Sequence, residues 1–209
     1  MVIMNGDVFD GAQISRHPRT GWEGRPTVRQ ELDSVRDRLS EIEKSVGTAK
    51  LHWTYGNHDI RFNSRLSAQV AEFEGVMGMN LADHFPRWKF STSVMVNGST
   101  HIKHRQHSGI HAVYNNTVKA GISIITGHTH SLKVTPWTDM NGTRYGVDTG
   151  SLAHPWGDQF HYLEDGTRNW RSGFVVLTFH KGKLMPPELC EVINEEEGVA
   201  FFRGTVLKV

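Results

Sequence analysis

At 209 residues the chain is long enough for one domain with a sizeable core, and its 37% hydrophobic and 22% charged residues are ordinary for a globular protein. Lys plus Arg number 23 against 22 Asp plus Glu, a formal charge of +1, so there is no global case for nucleic acid or an acidic membrane and any basic steering must be local. The lone cysteine, Cys190, excludes an intramolecular disulfide and suits a reducing compartment; with no apolar leader and no long apolar run, a cytoplasmic chain without a membrane partner is expected.

In chain order, Met1–Asn5 reads as the end of a strand that runs into Gly6-Asp7-Val8-Phe9-Asp10. The loop over 11–26 is rich in Gly, Arg and His and is expected over a site mouth. Arg16, His17 and Arg19 there are either phosphate contacts or part of a solvated basic loop. A helix follows over 28–46. Thr27 and Gln30 fit a capping box, Gly47 fits a stop, and Val28, Leu32, Val35, Leu39, Ile42 and Val46 form one apolar stripe for packing on a sheet rather than a coiled-coil seam. Leu51–Tyr55 is a buried strand that runs into Gly56-Asn57-His58-Asp59. A second helix is expected over 64–79, with Leu66, Val70 and Phe73 inward. Phe85-Pro86-Arg87-Trp88-Lys89-Phe90 could stack on bases but is read first as a hydrophobic wedge.

Ser93–Val96 and Thr100–His104 form a hairpin around Asn97-Gly98. A helix over 109–120 feeds the strand 122–126, which runs into Gly127-His128-Thr129-His130. Lys133–Trp137 and Arg144–Val147 flank a second hairpin turn, and Phe174–Phe179 is a late strand. Asn194–Glu197 reads as a solvated turn before a terminal strand over 199–209. No linker divides the chain, so a single domain over 1–209 is expected.

Three apolar strands thus each end in a glycine followed by Asp, Asn or His, in the order GD-x-x-D, GNHD and GH-x-H. With these blocks the chain, from Gly6 to about Gly150, resembles the calcineurin-like metallophosphoesterases, in detail their small phage and bacterial members. The family's first block, D-x-H, has no counterpart before Gly6. The resemblance implies an α/β fold, a metallophosphoesterase-type β-sandwich flanked by helices. Its first βα unit is missing, which is read as an N-terminal truncation that should lower stability by baring a strand edge.

Such enzymes hydrolyse phosphate esters or diesters with two divalent ions, which neutralise developing charge and activate a hydroxide. Manganese is the first expectation, with iron or zinc compatible with the same nitrogen and oxygen ligands. By resemblance Asp7 bridges the ions. Asn57, His128 and a lone upstream histidine hold one ion, and His130 with the missing D-x-H holds the other, which should bind weakly. His101, His104, His107 and His111 all compete for the lone position. His104 is chosen because Lys103-His104-Arg105 closes a strand, with His107 next.

His58 would donate the proton to the leaving alkoxide or clamp the transition state, with Asp59 setting its tautomer; the plain alternative makes Asp59 a helix cap. Asn57, His58 and Arg105 would contact substrate, and Arg61 is a further candidate. Asp10 is either a supporting carboxylate or a turn residue, and His154 either lines the pocket or is a loop histidine. The resemblance implies a phosphate-ester substrate, with nucleotides and nucleic acid among the candidates. The competing reading is a catalytically impaired metal-binding remnant that serves as a binding module. A zinc-stabilised nucleic-acid binder over 101–111 fits poorly without cysteine pairs.

Overall fold

Two of the three motif loops hang from neighbouring parallel strands. β1 (Val2–Met4) pairs in parallel with β2 (Leu51–Thr54), which pairs in parallel with β3 (Lys89–Ser91). The computed structural model describes residues 1–18, 22, 24–157, 160 and 169–208, so Arg19 lies outside them. The described residues form a mixed α/β structure with several sheets and three α-helices, and the chain divides into two compact units, Met1–Thr92 and Ser93–Val209.

In the first unit α1 (Val28–Val46) makes the crossover from β1 to β2. Its capping box is present: the Thr27 hydroxyl accepts from Gln30 N at 3.2 Å while Thr27 N donates to Gln30 Oε1 at 2.9 Å. Leu32, Val35 and Leu39 on its apolar stripe are buried with Phe9, Leu51, Trp53 and Phe62, so the stripe packs into the core. The wedge segment is also core. Phe85 and Trp88 are each only 4% exposed, and Phe90 stacks on Trp53 with centroids 4.7 Å apart. These rings cannot receive a base.

The second helix departs from expectation. α2 spans Ile60–Gln69 instead of 64–79, and Phe73, expected inward, is 44% exposed. Val70 leaves the helical region at φ −143°, and Gly75 and Gly78 at φ 81° and 90° cannot continue it. A cleft of about 680 Å³ lies beside α1 and α2, walled by Val28, Leu32, Phe62, Leu66 and Met79.

The second unit is built on a mixed sheet in the order β4-β5-β6-β8-β7. Its strands are β4 (Val94–Val96), β5 (Thr100–Ile102), β6 (Ser123–Thr126), β7 (Lys133–Asp139) and β8 (Gly142–Asp148). β5, β6 and β8 run parallel, and the hairpins β4–β5 and β7–β8 close the two edges. α3 (Ala112–Ala120) packs on β6, β7 and β8. It starts three residues later than expected because Gly109 sits at φ 94°. Gly146 of β8 makes the packing possible, since a Cβ there would collide with the Thr117 hydroxyl and the Val113 carbonyl of α3.

Beyond this sheet the late strand is two, β9 (Gly173–Val176) and β10 (Phe179–His180), and β10 pairs with β11 (Lys183–Leu184). β9 joins β12 (Glu188–Asn194), β13 (Val199–Phe202) and β14 (Thr205–Lys208) in an antiparallel sheet. The expected terminal strand is therefore a hairpin that turns at Arg203 and Gly204, both at positive φ (49° and 77°). Among the described residues no helix is long and apolar enough to cross a membrane.

Candidate functional site

In the first unit the site is organised by a carboxylate that does not face it. Asp59 is fully buried. Its Oδ2 accepts from Asp7 N at 2.9 Å, Gly56 N at 2.7 Å and the Trp53 indole at 2.9 Å, and its Oδ1 accepts from Phe9 N at 3.0 Å. One side chain thus ties the GD-x-x-D loop to the GNHD loop. Burial pushes the Asp59 carboxyl above its ordinary value, while these N–H donors pull the other way. It makes no side-chain cap on α2, so neither the helix-cap role nor the tautomer role describes it.

The tautomer role belongs to Asp10. His58 Nδ1 lies 2.5 Å from Asp10 Oδ1; an ionised carboxylate only accepts, so Nδ1 carries the proton. Arg61 completes the group, donating through Nη1 to the Asp10 carbonyl at 2.8 Å and through Nη2 to His58 Nε2 at 3.2 Å. Asp59 was the wrong orienting partner because the strand-to-helix turn carries its side chain into the core while Asp10 stays 44% exposed beside the ring.

Asp7 holds a left-handed backbone (φ 54°), a strained state for a residue with a side chain. The bond to Asp59 holds it there, and His58 N donates to Asp7 Oδ1 at 2.8 Å. Gly56 serves this contact and not a left-handed turn: a Cβ on it would fall inside the Asp7 carboxylate. The Asn57 amide oxygen is buried and has no hydrogen-bond partner among the described residues, a cost normally met by a ligand. Arg16 and His17 are exposed on their loop.

In the second unit His104 and His128 come together. His104 is 4% exposed, and its Nε2 lies 3.3 Å from His128 Nδ1. The His104 carbonyl also accepts from Gly127 N at 3.0 Å and His128 N at 3.2 Å, fixing the start of the GH-x-H loop. A second buried carboxylate, Asp148, anchors that loop: it accepts from Thr129 Oγ1 at 2.5 Å, Ser131 N at 3.1 Å and Gly150 N at 3.0 Å. Sequence reasoning missed Asp148, although an Asp at a strand end before Thr-Gly is a usable signal.

His130 follows at φ 53° with its ring against Trp170, centroids 4.8 Å apart. His101 is half-buried in β5, where burial, seconded by Lys103, lowers its pKa. His111 and Arg105 are exposed, and His154 accepts from Trp156 N at 3.3 Å. None of the motif residues lines the cleft beside α1 and α2. Among the described residues, the side chains suited to a metal ion are Asp7 in the first unit and the pair His104 and His128 in the second. A carboxylate and two imidazoles form a donor set for a first-row divalent ion.

No protein-family model matches the sequence. The Gene 54 protein of Mycobacterium phage D29 is 34% identical over 216 residues, covering 92% of this chain and 82% of that protein. The Gene 54 protein of Mycobacterium phage L5 is 27% identical with the same coverage of each.

Proposed function

We propose that this chain, which belongs to the Gene 54 protein family of mycobacteriophages, is a metal-dependent phosphoesterase of the calcineurin-like kind. The observation that carries the reading is the double use of the GNHD turn. Asp59 locks two loops together, while His58 of the same turn meets Asp7 through its N–H and Asp10 and Arg61 through its ring, and Asn57 next to it carries an orphaned buried oxygen. The finer fold, a metallophosphoesterase-type sandwich flanked by helices, belongs to the same proposal, as does a cytoplasmic place of action.

Asp7, Asn57, His104 and His128 would hold one divalent ion, with manganese favoured over iron or zinc. Asp7 and His130 would hold a second more weakly, because two protein ligands fall short of the usual three. Bound ions supply positive charge for the phosphoryl oxygens and acidify water. The protein's own share is positional. Asp10 fixes the His58 ring so that Nε2 faces the side of Asp7, 4.0 Å from its Oδ2. After taking a proton from water at Nε2, His58 is an imidazolium whose Nδ1–H is held by Asp10, and it can hand the Nε2 proton to the leaving alkoxide. Arg61 occupies Nε2 in this geometry, so it must turn away first; phosphate oxygens, which a guanidinium binds in pairs, give it a reason to do so.

The test is turnover of an aryl phosphodiester by the purified chain with manganese, which is expected and should fall about 10²–10⁴-fold in His58→Ala. Absence of turnover with every divalent ion tried, in a chain that still binds manganese, leaves the impaired binding module in its place.

A further inference from the structure

We infer that the phosphate ester is carried by single-stranded nucleic acid, with a base stacked on the aromatic side chains beside His130. The inference rests on the phosphoesterase reading for where the scissile phosphate lies. Phe85 and Trp88 are buried in the first unit and Phe90 is packed against both Trp53 and Tyr55, so the rings of 85–90 cannot serve. In the second unit Trp170 stands edge-on to His130 at 4.8 Å and to Phe160 at 4.7 Å, and Phe160 lies 6.2 Å from His130. Phe160 and Trp170 are only half-buried, and Trp156, four residues before Phe160, is 70% exposed. Arg171 N donates to the His130 carbonyl at 2.8 Å, which pins the neighbouring Trp170 to the GH-x-H loop.

The same loop is met by a basic segment. Residues 101–111 carry Lys103, Arg105 and four histidines without a carboxylate, and His104 within them lies 3.3 Å from His128. Flat rings beside one histidine, and the cations Lys103 and Arg105 on either side of His104, which meets the other, suit a ligand that has both bases and successive phosphates. Aromatic stacking with electrostatic tracking of the backbone is how single strands are held without regard to sequence. A tyrosyl phosphate would use the rings but has no further phosphates for the basic segment.

The experiment follows binding of a short labelled oligo(dT) to the full chain by fluorescence anisotropy, with EDTA present to prevent turnover. An abasic oligomer of equal length is the control. Trp170→Ala should weaken oligo(dT) binding about tenfold, Trp170→Phe should recover most of it, and the abasic oligomer should bind all three proteins alike. In the unaltered chain, photocrosslinking of a 4-thiothymidine oligomer should map to the segments holding Phe160 and Trp170, a result that needs no variant to fold. Equal losses for both oligomers, no loss at all, crosslinks only elsewhere, or tighter binding of a phosphotyrosine peptide would each overturn the proposal. Failure of this binding with aryl-diester turnover intact removes the nucleic-acid inference alone. Binding without turnover removes the esterase reading alone.

Discussion

Two buried aspartates, one in each unit, hold the motif loops through hydrogen bonds. Asp59 and Asp148 are both fully buried, and each accepts from several N–H or O–H donors of a glycine-marked loop. Residue type announces a carboxylate, but only the folded turn decides whether it points at the solvent or under the loop. Asp59→Asn puts an amide NH₂ against donors that need an acceptor. It should destabilise by about 3 kcal/mol, the scale of buried bonds to a charged group, measured as a lower urea midpoint at unchanged m-value. Asp10→Asn acts elsewhere, because Asp10 is 44% exposed and orients a ring instead of holding a fold. Its urea midpoint should stay within about 0.5 kcal/mol of the parent, while kcat for an aryl diester should drop about tenfold or more. A loss of stability as large as that of Asp59→Asn would place Asp10 among the anchors instead.

Elements whose signals are local were legible; those set by backbone conformation or tertiary contact were not. α1 follows from Thr27, Gln30, the apolar stripe and Gly47, all present as expected. The Asn97-Gly98 hairpin follows because that pair favours two successive positive φ values, observed at 50° and 66°. The same turn made by Arg203-Gly204 escaped notice, since arginine does not advertise a left-handed backbone. Thr27→Ala should cost about 1 kcal/mol, the usual worth of an N-cap, and Leu39→Ala, at 2% exposure, about 3 kcal/mol. α1 also has a pH-dependent tie to the site loop. Glu31 Oε1 accepts from Gly11 N at 2.6 Å, but burial, with Asp10 nearby, raises the Glu31 pKa above 4.5. A raised carboxyl favours the fold in its protonated form, so its contribution is full below the ordinary value and lost as pH rises through the raised one. Glu31→Gln should therefore gain stability relative to the parent as pH climbs above 4.5, and parallel pH–stability curves would show that Glu31 does not titrate this way.

At the scale of the whole chain, three strand–glycine–polar loops could be read because apolar runs and glycine are written in the sequence, whereas the partners of each side chain depend on contacts about 50 residues apart, such as Asp59 with Phe9. The ligand set proposed above is Asp7, Asn57, His104 and His128. An ion that binds the folded chain and not the unfolded one stabilises it by mass action. Manganese at about a hundred times its Kd should add about 2.7 kcal/mol and raise the melting temperature by about 5–10 °C for a chain of this size, and EDTA should reverse the shift. The decisive comparison is between Asn57→Ala and His128→Ala, each of which leaves the other unit's ligands intact. A shared ion requires the manganese shift to shrink in both variants. A shift lost in His128→Ala yet complete in Asn57→Ala would confine the ion to the imidazoles of the second unit, and the orphaned Asn57 oxygen would then need a different ligand.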